Sequence, residues 1–203
     1  MSNLATTCID RQITALSRLH QVTTTDEYKK IVQLVTKVAK LEYTARILIA
    51  GVGKNAHIAA KISDTMASLG IASHPLNVSH LGHGDFGRIG HDDVIIHISR
   101  SGMTSEMLIA IDHVKLIRPN VKQILIHCKQ DKAVNFNIDI ELLIGAVAEG
   151  DEFSLAPTTS TTALLCALDC VSVQVSHNID FKRLDFLKFH PAGALGEMLK
   201  AEQ

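Results

Sequence analysis

Three short stretches of this 203-residue chain gather glycines, hydroxyls and charges just after apolar runs. In GVGKNAH (51–57), Gly51 and Gly53 precede Lys54 and a helix-like pattern. Glycines let a backbone approach a ligand, a helix start offers free N–H groups to an anion, and Lys54 adds positive charge. The stretch lacks a third glycine at dinucleotide spacing and is no GxxxxGK[ST] loop, so a plain strand–helix turn competes with phosphate binding. In SRSGMTSE (99–106), Ser99, Ser101 and Thr104 surround one glycine at another helix start, with Glu106 following. Helix capping explains one or two of these hydroxyls; three suit a phosphate monoester. In AEGDEFSLAPTTSTT (148–162), Glu149 precedes a third hydroxyl-rich helix start at Thr158 and Thr159, while Asp151 and Glu152 read as solvated loop acids.

Two further stretches carry histidine. SHLGHGDFG (79–87) sets His83 between glycines, near His80 and Asp85, and His83 reads as functional. Eleven histidines invite zinc, but neither HExxH nor paired Cys/His spacing occurs, and His20, His97, His113 and His127 read as structural. FHPAGALG (189–196) offers His190 beside Pro191 and small residues that allow close packing.

These turns can act together only if the runs before them lie side by side. RILIAGVG (46–53), 72–78, DVIIHIS (93–99), KQILIHC (122–128) and IDIELLIG (138–145) read as strands. Helix patterns fill 54–70, 103–117 and 158–177 between and after them, preceded by helices over 3–22 and 26–43. Continuous apolar strands alternating with helices predict an α/β fold: a five-stranded parallel sheet covered by helices on both faces, as a flavodoxin-like three-layer sandwich. Ligands of such sheets bind at the carboxyl ends of the strands, where the three turns fall. One domain over 1–203 is expected, with 1–43 packing on it or on a neighbouring subunit. Helix 158–177 is apolar nearly all round, which predicts burial under other helices or between subunits.

Bulk properties narrow the partners. A net charge of -1 gives no basic face for nucleic acid. No apolar run approaches a membrane span and no export signal is visible, so a soluble cytoplasmic protein is expected. With 46% hydrophobic but only 4% aromatic residues, the core must be aliphatic. Cys8, Cys128, Cys166 and Cys170 form no CxxC pair, which fits a reducing compartment. Cys166 and Cys170, spaced i, i+4, could ligate a metal but read better as small buried residues.

With these segments assembled, the chain resembles the sugar isomerase (SIS) domain family, and within it the arabinose-5-phosphate isomerases. GVGKNAHIAAKI, GHGDFG, ISRSGMTSE, LAPTTSTTALL and FHPAGALG carry the resemblance, in that order, over about residues 45–200. Met103 where relatives commonly have an acid, the acidic EGDEFS segment and HPAGALG for HPGGALG are departures. Many members carry two CBS modules after the isomerase domain; a chain ending at Gln203 is expected to be the isomerase domain alone.

The resemblance implies interconversion of D-ribulose 5-phosphate and D-arabinose 5-phosphate through an enediol, feeding 3-deoxy-D-manno-octulosonate (Kdo) for lipopolysaccharide or capsule. It implies Lys54, His83, Glu106, Glu149 and His190 as catalytic residues. Gly53, Asn55, Ser99, Ser101, Thr104, Thr158 and Thr159 would bind the sugar phosphate. Glu149 or His190 would be the C–H base, with Glu149 favoured. Lys54 and His83 would stabilise charge, and Glu106 would orient Lys54 or the sugar. No cofactor is implied, because no net oxidation occurs, and no metal is required; His83 is the residue that would ligate an inhibitory zinc. A homotetramer with shared active sites is implied, His190 acting in a neighbour's site. A SIS isomerase of a hexulose or heptose phosphate, or a non-catalytic sugar-phosphate sensor, are the alternative readings.

Overall fold

The computed structural model describes residues 3–41, 44–131 and 137–191. Two capped helices come first. Helix α1 (Leu4–Val22) starts on Asn3, whose side chain accepts from the N–H groups of Ala5 and Thr6. Helix α2 (Asp26–Ala39) starts on Thr25, which accepts from Tyr28. The expected 26–43 helix stops at Ala39 because the chain turns at Lys40 and Leu41 to enter the sheet; residues 42–43 lie outside the described residues.

The sheet comprises β1 (Ile47–Gly51), β2 (Ser73–Asn77), β3 (Val94–Ser99), β4 (Lys122–His127) and β5 (Ile140–Leu143). All pairings are parallel, in the order β2-β1-β3-β4-β5. This is the doubly wound arrangement that the strand–helix alternation predicts. The order reverses between β1 and β3, so their connections leave on opposite faces and open a crevice at their carboxyl ends.

Helix α3 (Lys54–Ser68) and the long α6 (Thr159–Asn178) cover one face together with α1 and α2. There Ile47, Ile49, Ile96, Ile98, Ile124 and Ile126 pack into an aliphatic core with Ile62, Met66, Leu164 and Leu168. The other face carries the single-turn α4 (Val78–Leu81) and α5 (Ser105–Ile117), with Leu48, Ala50 and Ile95 buried beneath Leu81, Ala110 and Val114. Alternate residues of one strand thus serve two cores, which is why the strands read as unbroken apolar runs. The apolar α6 is buried under α1, α2 and α3 of its own chain, with Val173 left exposed.

The start of α5 and one further helix also depart from the sequence pattern. The expected helix at 103 begins at Ser105, because Ser99 and Ser101 accept the Gly102 and Met103 N–H groups in a turn of their own. The charged run before His190 forms a further helix, α7 (Arg183–Phe189). At the amino end of the sheet, buried Asp93 accepts from the Arg46 backbone (2.9 Å) and guanidinium (2.8 Å) and from the Gly90 N–H (2.8 Å), stapling the starts of β1 and β3.

Candidate active site

The turn after β1 is shaped by its glycines. A Cβ on Gly51 would stand 2.5 Å from the backbone of Asn55, so no other residue fits there. Gly53 holds φ +58, a left-handed conformation costly for side-chain-bearing residues, and no side chain caps the helix it opens. Lys54 is exposed on the first turn of α3, and Asn55 is half-buried behind it.

Across the crevice, the turn after β3 is built by its own hydroxyls. Ser99 is buried; its Oγ accepts from Gly102 N–H (3.0 Å) and lies 3.1 Å from Thr104 Oγ1. Ser101 Oγ accepts from Met103 N–H (3.1 Å). Thr104 therefore spends its hydroxyl on Ser99 rather than on capping α5. Glu106 is exposed, and its carboxyl is held below the usual range by its own backbone N–H and by Ser105 Oγ–H, 3.0 Å away.

Glu149, beyond β5, is fully buried. One carboxylate oxygen, Oε2, accepts from the N–H groups of Thr158 (2.9 Å) and Ser160 (3.1 Å) and from Thr158 Oγ1 (3.4 Å). The other, Oε1, accepts from Ser160 Oγ and pairs with Arg100 Nε at 3.0 Å. Burial alone would push this carboxyl up. The Ser160 and Thr158 hydrogen bonds, with Arg100, outweigh it and hold the group ionised below its usual value. Glu149 thereby caps α6 in place of Thr158, whose Oγ1 accepts from Gly150 N–H (2.7 Å). Thr159 Oγ1 is buried without a hydrogen-bond partner among the described residues.

From α1, Arg11 donates to the Glu149 and Asp151 carbonyls, and Cys8 packs so tightly on Gly150 that a Cβ there would lie 2.3 Å from its sulfur. Asp151, read as a solvated acid, folds this loop: its carboxylate accepts from Leu155 and Ala156 N–H. Cys128, at the end of β4, faces Glu149; burial first, and then that carboxylate, push its thiol up to about 12, so it stays protonated. No motif or spacing in the sequence singles out Arg11 or Arg100. The signal that could have found Arg100 is its place as a cation between two hydroxyls at a strand end.

His83 is exposed on the loop after β2, at the same end of the sheet. Lys54, Asn55, His83, the Ser99–Glu106 turn and Glu149 thus follow carboxyl ends of strands. His190 does not join them. Its neighbour Phe189 lines a 390 Å³ cleft with Arg46, Ile71 and Ser73, at the amino end of the sheet. The 15-residue α3 separates the two ends by about 22 Å. The His190 ring stacks on Phe186 (3.9 Å), and its Nδ1 lies 3.0 Å from the Phe186 carbonyl. A carbonyl only accepts, so Nδ1 carries the proton and Nε2 is left as the basic nitrogen. Residues 192–196 of FHPAGALG lie outside the described residues.

Among the described residues, no group of three or more His, Cys, Asp or Glu is placed to hold a metal. No described helix is long and apolar enough to cross a membrane. Cys166 and Cys170 sit half-buried on α6, where burial and then the adjacent Cys166 push the Cys170 thiol up.

Comparison with known proteins agrees with this architecture. The chain is 36% identical over 155 residues to an arabinose 5-phosphate isomerase KdsD of Francisella tularensis, covering 76% of this chain and 47% of that one. It is 31% identical over 188 residues to an arabinose 5-phosphate isomerase KpsF of Escherichia coli O6:H1, covering 93% and 55%. The chain thus spans about half the length of the curated relatives it matches. Among solved structures, it superposes on E. coli CFT073 c3406 in complex with A5P with a TM-score of 0.80 at 27% identity, covering 94% of this chain and 100% of that one. Residues 40–173 match the model of the SIS domain, and the chain belongs to the SIS domain family.

Proposed function

We propose that the protein is an aldose–ketose isomerase interconverting D-ribulose 5-phosphate and D-arabinose 5-phosphate. The observation that carries this reading is the crevice between β1 and β3. There Lys54 with Gly53 faces a turn of three hydroxyls at a second helix start, at the carboxyl ends of the strands. Such a pair of turns suits a phosphate monoester, and the similarity to arabinose 5-phosphate isomerases supplies the sugar.

The reaction moves one proton between C1 and C2 and another between the two oxygens, with no net oxidation, so it calls for no cofactor. Ser101, Thr104 and the α5 start take the phosphate, with Asn55, Thr158 and the unpartnered Thr159 hydroxyl at its margins. Lys54 and His83 stabilise the enediolate, and exposed Glu106 orients the sugar. Glu149 is excluded as the C–H base in this reading: five donors crowd its two oxygens, more than the roughly four lone-pair sites a carboxylate offers. His190 carries a basic Nε2 but lies at the wrong end of its own sheet, so we assign the base to His190 of the partner subunit. Exposed Ile9 and Ile13 on α1 and Val173 on α6 supply apolar surface for subunit contacts, and a cytoplasmic homotetramer is the assembly proposed. The aldose would feed Kdo synthesis for lipopolysaccharide or capsule.

A coupled assay with arabinose 5-phosphate, hexulose 6-phosphate and sedoheptulose 7-phosphate tests the substrate. Turnover greatest on either of the larger sugars overturns the pentose assignment, and binding without proton exchange in deuterated water overturns catalysis. Mixing inactive His190→Ala and Lys54→Ala subunits should restore part of the activity. Failure of properly assembled mixtures to do so refutes the shared site.

A further inference from the structure

Arg100 lies between Ser99 and Ser101, in the turn that would hold the phosphate, yet its side chain leaves that turn. Its Nε meets Glu149 Oε1 at 3.0 Å, and Nη2 donates to the Ser154 carbonyl at 3.3 Å. Ser154 Oγ in turn accepts from the Glu149 N–H (2.8 Å). The Arg100 carbonyl accepts from Cys128 N–H (3.1 Å), fixing its backbone to the end of β4. One residue therefore ties the β3 turn, β4 and the Glu149 loop together.

We propose that Arg100 is a positioning residue that locks the buried Glu149 carboxylate, and with it the start of α6, to the phosphate-binding turn. The inference rests on the function proposed above. The Arg100 side chain is 43% exposed while Glu149 is fully buried, so the pair is reached by solvent from one side. Among the described residues, Cys128, Cys8 and Arg11 also approach this loop, and Asp151 within it turns its carboxylate to the Leu155 and Ala156 N–H groups. Cys128 from β4 remains a neutral thiol, and Cys8 packs on Gly150. Arg11 from α1 grips the Glu149 carbonyl rather than its carboxylate. Arg100 is thus the cation paired with the carboxylate among the described residues. Without it, Glu149 gains proton affinity and loses its tie to the β3 turn. Thr158 and Ser160, which donate to the same carboxylate, then shift with it.

The experiment measures arabinose 5-phosphate turnover by Arg100→Gln and Arg100→Lys at neutral pH. For the Gln variant, kcat should fall about 10- to 100-fold, the scale set by a misplacement near 1 Å. Its KM should stay within about twofold of the wild type, because Arg100 acts through Glu149 and not on the sugar phosphate. The Lys variant should recover most of the lost kcat. A raised KM with kcat unchanged overturns the proposal, because Arg100 then grips substrate instead. A urea-midpoint double-mutant cycle of Arg100→Gln with Glu149→Gln reads the pair without substrate, and additive shifts overturn the link. If the wild-type protein turns over no sugar phosphate, the proposed function fails while the cycle still decides the Arg100–Glu149 link.

Discussion

Glu106 and Glu149 stand at the starts of α5 and α6, at carboxyl ends of one sheet, and have little else in common. Glu106 is exposed and, among the described residues, bonds to its own N–H and to the next-door Ser105. Glu149 is buried and draws donors from α6 and from the β3 turn. A carboxylate with local, solvated partners can release them when a ligand arrives. One whose partners come from distant segments can move only if those segments move. The contrast separates a group free to meet substrate from one that holds the walls of the site in place.

Truncating the two acids should expose that difference most sharply. Glu149→Ala strands Ser160 Oγ and the Thr158 and Ser160 N–H groups at the start of α6, so it should cost about 3 kcal/mol, as buried donors left unmade cost about 1–3 kcal/mol each. Urea denaturation would measure it, and a loss under 1 kcal/mol would contradict the role given to Glu149.

Acid adds a second stress. His97 is fully buried with Nε2 on Gln123 (2.9 Å), and burial lowers its pKa from 6.5 to about 4. The unfolded chain takes up this proton before the folded one, so stability falls as pH drops from 6.5 towards 4. The loss from this group approaches about 3 kcal/mol. His97→Gln should flatten that slope. Stability owed to Glu149, whose folded pKa is depressed, begins to be lost as the pH falls past the unfolded value of 4.5 and is gone once it has passed the folded one. Wild-type stability constant from pH 7 to 4 would refute the assignment of His97.

Ser99→Ala should cost about 1–2 kcal/mol, because it leaves buried Gly102 N–H without an acceptor. KM for the sugar phosphate should rise with it. The smallest change is expected of Glu106→Gln, whose urea midpoint should match the wild type. Its turnover should still drop about 100-fold, the scale of a substrate misplaced by about 1 Å. A large shift in that midpoint would erase the contrast between the two glutamates.

Local chemistry made much of this legible in the sequence. Gly51, Gly53 and the Ser99–Thr104 cluster act through neighbours a few residues away, and unbroken apolar runs such as ILIAG announce a strand buried on both faces. Helix α7 escaped notice because seven residues of mixed charge carry almost no periodicity. Arg11 and Arg100 escaped because their meaning lies in partners far along the chain, which no spacing rule reaches. For the same reason His190 could be singled out by its motif, but its position at the far end of the sheet could not.

The packing of α1 on the Gly150 turn bears on when the site comes into being. Arg11 reaches a carbonyl 138 residues away, Arg18 one 128 away, and Gln12 meets Thr162 across 150 residues. Contacts of such sequence separation form late, after loop closure has been met by nearer pairings. A chain whose sheet has formed but whose first helix has not docked would hold its strands and turns while the Glu149 loop lacked its outer brace. Competence then arrives as a late step of folding, set by the docking of α1 on the Glu149 loop.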